Sequence, residues 1–193
     1  MYQMRLMKFL DQINQLFFSK RYFDSESGVV ENDSRGLPST WVLSRSFCAY
    51  YCLDFTNVEE SKQDVALENR LEVCSPFSNF GYWVAWKDGI AQVWVWEQER
   101  IQESIRSTVL EAQDEKMLNV VPESIFFARL DEGLQCFRSE DGFVIQNWRA
   151  GVLADERFWP SVPDDLEKNK FVHGVGRNPN VDIPEIDREE LPW

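Results

Sequence analysis

Apolar residues recur along this 193-residue chain at two different periods, and the changes between them mark out its elements. Leu6, Phe9, Leu10, Ile13, Leu16 and Phe17 fall three or four apart, so the first twenty residues read as an amphipathic helix. Residues 24–39 are polar, contain Gly28, Gly36 and Pro38, and read as a loop. Residues 41–55 are rich in β-branched and aromatic side chains and predict strand, in one or two segments. Thr56 or Asn57 is placed to cap a helix carrying Glu59 and Glu60 in its first turn, where carboxylates suit unpaired backbone amides. Leu67, Leu71 and Cys74 form the apolar face of that helix, and Pro76 stops it.

Period two then returns. Residues 81–87 and 90–97 predict a hairpin turning at Lys87-Asp88-Gly89. Tyr82, Val84 and Trp86 fall on one face and Trp83 and Ala85 on the other; Trp94 and Trp96 oppose Val93 and Val95 in the same way. Apolar side chains on both faces predict a sheet covered on both sides. A helix follows at 98–116, with Ile101, Ile105, Val109 and Ala112 along its stripe, then a connector at 119–122. Residues 134–138, 143–148 and 152–158 read as three short strands joined by Asp141-Gly142 and Ala150-Gly151, with a helix at 164–172. The expected division is an N-terminal helix and loop (1–40), a first α+β lobe (41–119), a second lobe of meander and helix (120–176) and an acidic, Pro-containing tail (177–193).

Composition narrows the function. Apolar residues at 44% and charged ones at 27% describe an ordinary globular protein, and eight Trp with fourteen Phe demand cores for large rings. The formal net charge of −13 repels phosphate backbones, so nucleic acid is not an expected partner. Cys48, Cys52, Cys74 and Cys136 show no CxxC spacing and read as reduced thiols, and no run of eighteen apolar residues suggests a membrane span. A cytoplasmic protein is the simplest reading. The stripe of Leu6, Phe9, Leu10, Ile13 and Phe17 must cover its own body, a second copy of the chain or another protein, and is the candidate partner-binding element.

A three-strand meander followed by a helix resembles the opening unit of ribonuclease-H-like and actin-like domains. More specifically, Val42-Leu43-Ser44-Arg45 and then Arg70-Leu71-Glu72-Val73-Cys74-Ser75-Pro76-Phe77 resemble the cytoplasmic actin-like domain of the GspL family of type II secretion proteins and related pilus-assembly proteins. In that family an Arg-bearing strand leads to a helix ending in a Pro-Phe motif, followed by a strand pair. Pro122-Glu123-Ser124, Gln146-Asn147-Trp148-Arg149 and Arg157-Phe158-Trp159-Pro160 extend the similarity, which covers about residues 41–171. The resemblance implies two small α+β lobes, shortened relative to a full actin-like ATPase. It also implies a scaffold that docks a secretion ATPase and other assembly proteins at the cytoplasmic face of the inner membrane. A homodimer is a further expectation, and an acidic regulator of a basic protein is the alternative.

No enzyme, cofactor or metal site is expected. Actin-like nucleotide binding uses an Asp-x-Gly-Thr-type turn between two strands; here the turn is Ser139-Glu140-Asp141-Gly142-Phe143, which any hairpin favours and which adds charge where phosphate would sit. His173 is the sole histidine, has no GxSxG partner, and suits the end of a helix. Zinc requires clustered Cys and His; Cys48 and Cys52 share a side of a strand but read as core thiols. Glu68 and Glu72 share a helix face and read as solvated.

Overall fold

A computed structural model describes residues 20–33, 40–108 and 118–161. The stripe bearing Leu6, Phe9, Leu10, Ile13 and Phe17, the helix expected at 164–172, His173 and the tail lie outside the described residues. The order is β1 (Lys20–Ser25), β2 (Gly28–Asp33), β3 (Thr40–Leu43), a 3-10 turn (Arg45–Phe47), β4 (Cys48–Asp54), α1 (Glu60–Cys74), β5 (Phe80–Lys87), β6 (Ile90–Glu97) and α2 (Gln98–Thr108). Then come β7 (Asn119–Pro122), a second 3-10 turn (Glu123–Phe126), β8 (Gly133–Arg138), β9 (Phe143–Arg149) and β10 (Val152–Trp159). The class is α+β, with the expected three-strand meander in β8–β9–β10.

Two segments differ from the sequence reading. Residues 24–33, expected as loop, belong to a β1–β2 hairpin turning at Glu26-Ser27, which starts at Lys20. Its polar outer positions hid the fact that adjacent Tyr22 and Phe23 enter different cores. The expected connector at 119–122 is strand β7, parallel to β3, because Val121 completes a core with Phe23, Val42 and Phe126. The resulting sheet has the order β2-β1-β3-β7, with β1, β3 and β7 all parallel. A smaller correction concerns the start of α1. Glu59 occupies the cap position without a side-chain cap bond, while Thr56 N–H and Oγ1 donate to Asp54 Oδ1 at 2.9 and 2.7 Å, a local turn rather than a helix cap.

The central hairpin agrees with its sequence. Asp88 and Gly89 adopt φ of 51° and 78°, the left-handed pair that a two-residue hairpin turn requires. In the β4-β6-β5 sheet, Val93 and Val95 pack with Leu67 and Leu71 of α1. Trp94 and Trp96 face the opposite core, with Tyr22, Trp41, Ile101, Ile105 and Trp148. Both faces are therefore buried, by α1 on one side and by the neighbouring sheets with α2 on the other. No helix among the described residues is long and apolar enough to cross a membrane.

Of the two thiols expected in the core, only Cys48 is there; Cys52, further along β4, is exposed. Burial raises the Cys48 thiol to about 12 and Cys136 to about 11. Because the thiolate is the reactive form, neither should label with a thiol reagent before unfolding, whereas Cys52 should label in the native state. Mass spectrometry of the labelled protein checks this; prompt modification of Cys48 would contradict the packing.

Candidate functional site

The end of β3 delivers the chain into the middle of the molecule. Ser44 N–H donates to Asp24 O at 2.8 Å, and the next residue, Arg45, opens the 3-10 turn. Arg45 N–H and Ser139 Oγ both donate to Glu123 Oε1 at 2.6 Å. The Arg45 guanidinium donates to the Glu156 carboxylate through Nε, to Glu156 O at 3.1 Å and to Cys48 O.

Glu156 is only 4% exposed although it carries a carboxylate. A bulge between Leu153 and Asp155 explains how it turns inward: opposite β9, Asp155 pairs with Asn147 and Glu156 with Gln146. Its Oε1 accepts from Trp94 Nε1 at 2.7 Å, from Ser124 Oγ at 3.0 Å and from Arg45; its Oε2 accepts from Gln146 Nε2 at 2.7 Å. The chain of bonds continues outward. Gln146 Oε1 accepts from Gln135 Nε2 at 2.7 Å and from Trp148 Nε1 at 3.1 Å, and Gln135 Nε2 also reaches Ala128 O at 2.6 Å. One carboxylate thus ties β10, β6, β9 and both 3-10 turns together. Among the described residues no buried side-chain nitrogen or oxygen lacks a partner.

A general acid or base must reach a substrate proton. The Glu156 side chain is 0% exposed and its oxygens are saturated by donors, so this arrangement binds structure rather than substrate. The nearby cleft, between Trp83, Gln92, Trp94, Phe127, Arg129 and Trp148, has room for only about one water molecule.

The second feature is a contact between two hairpin turns. Both carboxylate oxygens of Asp141, in the β8–β9 turn, accept from Glu26 N–H of the β1–β2 turn at 3.1 Å. Ser46 Oγ donates to Asp141 Oδ2 at 2.8 Å, and Ser27 Oγ donates to Glu140 Oε1 at 3.4 Å. Gly142 is required beside them, since a Cβ there would sit 2.2 Å from Trp159 O. The β8–β9 turn is therefore fastened to the β1–β2 turn through its own carboxylates.

Asp24, beneath this junction, accepts from Trp41 Nε1 at 3.1 Å. Burial raises its pKa above the ordinary 3.8, opposed by hydrogen bonds from Ser104 and Trp41 and by Arg100. In the window between the raised folded value and the ordinary one, the folded state binds more protons than the unfolded state, so this group makes stability fall as pH rises. Asp24→Asn should flatten that part of the stability–pH curve, as chemical denaturation at a series of acidic pH values would reveal. An unchanged slope would remove Asp24 as its source.

The sequence singled out few of these residues for their chemistry. Glu68 and Glu72 are exposed, as expected, and Glu68 Oε1 accepts from Tyr82 Oη at 3.3 Å. No cluster of three or more His, Cys, Asp or Glu able to hold a metal occurs among the described residues. Arg45 was visible only as part of a motif, and Glu156 had no signal, because nothing in a single sequence marks the bulge that turns it inward.

The sequence matches no protein-family model and no curated protein. Among solved structures, the chain is similar to the cytoplasmic domain of EpsL, an inner membrane component of the type II secretion system of Vibrio cholerae. That similarity has a TM-score of 0.44 and 13% identity, covering 69% of this chain and 68% of that one. It is also similar to a Bacteroides thetaiotaomicron protein with an actin-like ATPase fold and unknown function. Here the TM-score is 0.47 and the identity 8%, over 76% of this chain and 72% of that one.

Proposed function

We propose that this chain is a non-catalytic scaffold or adaptor of a secretion or pilus assembly system, binding other assembly proteins at the cytoplasmic face of the inner membrane. The observation that carries the non-catalytic part is the turn-to-turn contact. Glu140 and Asp141 stand where a phosphate cradle would be needed, and Asp141 already takes the Glu26 amide and the Ser46 hydroxyl. A nucleotide phosphate would have to displace those bonds and face two carboxylates. The assembly part rests on the motif resemblance over residues 41–171. Arg45 and Gln146, two residues of those motifs, are also members of the buried network.

Calorimetric titration with Mg-ATP should give no saturable heat in the micromolar range; saturable micromolar binding would overturn the non-catalytic reading. The adaptor reading predicts co-purification with a secretion ATPase or platform protein from the native host. The net charge of −13 favours the second reading, an acidic regulator, and capture of only an unrelated basic protein would support it instead.

A further inference from the structure

β5 (Phe80–Lys87) is an outer strand of the β4-β6-β5 sheet, and among the described residues it pairs with β6 alone. Its register with β6 runs without a bulge, and it holds no proline and no charge before Lys87. Such an edge offers a row of free backbone amides and carbonyls to another strand, with few of the usual devices that discourage pairing. Phe80, Tyr82, Val84 and Trp86 line the face of β5 turned toward α1; each packs on the core there and stays half-buried.

The flank of α1 beside this row is acidic. Glu60, Asp64, Glu68 and Glu72 recur every fourth residue and all are exposed. Like charges at that spacing repel one another, so the row gains from added cations. Glu68 accepts from Tyr82 Oη at 3.3 Å, which sets this flank against β5. The Tyr82 hydroxyl is raised above its ordinary value, first by burial and then by the charges of Glu68 and Asp64. The nearby cations are turned elsewhere. Lys62 bonds Glu59 at 2.6 Å, and Arg70, two residues from Glu68 and from Glu72, falls on the opposite flank of α1. Lys87 and Arg129 lie on the other face of β5, Lys87 donating to Ala150 O at 2.8 Å and Arg129 lining the cleft with Trp83.

Carboxylates four residues apart on a helix stand about 6 Å apart along its axis, and alternate side chains of an extended strand about 6.8 Å apart. We propose that the outer edge of β5 and the acidic flank of α1 form a docking surface for an extended basic segment of another protein, which adds a strand to the sheet and presents Lys or Arg at alternate positions to Asp64, Glu68 and Glu72. A second copy of this chain is a poor occupant, because pairing β5 with β5 about a two-fold axis would set two acidic flanks against each other. The inference does not depend on the scaffold reading.

The test titrates the full-length protein with the end-capped peptide Lys-Val-Lys-Val-Lys-Val-Lys. Calorimetry should show saturable binding, and hydrogen exchange should show new protection within residues 80–87. Asp64→Asn, Glu68→Gln and Glu72→Gln together, all at exposed positions, should weaken binding at least tenfold. The same peptide with every backbone amide N-methylated keeps its charge but cannot pair as a strand, and should bind at least tenfold more weakly. No saturable binding, protection only outside 80–87, equal binding of the methylated peptide or indifference to the triple substitution would each overturn the proposal. Protection of 80–87 that rises with protein concentration in the absence of peptide would assign the edge to a second copy and overturn it as well.

Discussion

Glu156→Ala is expected to lower the unfolding free energy by about 3 to 5 kcal/mol, the cost of leaving a buried charge without its partner. The side chains of Arg45 and Glu156 are 6% and 0% exposed, so water cannot replace the lost carboxylate. The damage extends beyond the ion pair. Trp94 Nε1, Ser124 Oγ and Gln146 Nε2 would each lose an acceptor in the same step. Glu156→Gln keeps the volume and one carbonyl oxygen, but sets an amide donor among donors, so it should be damaging to a lesser degree. Arg45→Ala should cost less than Glu156→Ala, because the carboxylate would keep its three neutral donors. Urea denaturation of the three variants checks the order, and a Glu156→Ala midpoint equal to wild type would refute the network as a keystone.

Trp94→Ala should also cost about 3 to 5 kcal/mol, the usual loss for deleting a buried aromatic ring. The ring is 4% exposed and lies 4.9 Å from the Tyr50 ring and 5.5 Å from that of Trp83. It fills the core between the β4-β6-β5 sheet and the meander while its Nε1 donates to Glu156. Since the two residues share that bond, the double variant Trp94→Ala with Glu156→Ala should fall short of the sum of the single losses. Strict additivity would mean that the indole acts through packing alone. An unchanged denaturation midpoint for Trp94→Ala would show that the ring is not a core residue at all.

Local chemistry made much of the fold legible. Alternation in residues 81–97 placed Val93 and Val95 opposite Trp94 and Trp96, and the structure buries the two sets in separate cores. Leu67 and Leu71 at helical spacing gave the buried face of α1. Ala150 and Gly151 adopt φ of 49° and 68°, so the meander turns where its sequence predicts. Each of these outcomes is decided by neighbours a few residues apart, through period and turn geometry.

The remainder depended on distant partners. The β1–β2 hairpin looked like a loop, because its outer positions are polar and its register is stabilised only when β3 and β7 lie alongside. The bulge that turns Glu156 inward has no local marker, and the bonds that justify burying it come from Arg45, Trp94, Ser124 and Gln146, as many as 111 positions away. Asp141-Gly142 showed a turn, but not that its carboxylate would hold the Glu26 amide 115 positions earlier. By itself the sequence determined the β5–β6 hairpin, the β8–β9–β10 meander and the buried face of α1, since these follow from the backbone preferences and spacing of adjacent residues. Only the tertiary structure decided which charges are buried and which turns meet, because a buried carboxylate is tolerable only where the fold brings enough donors to it.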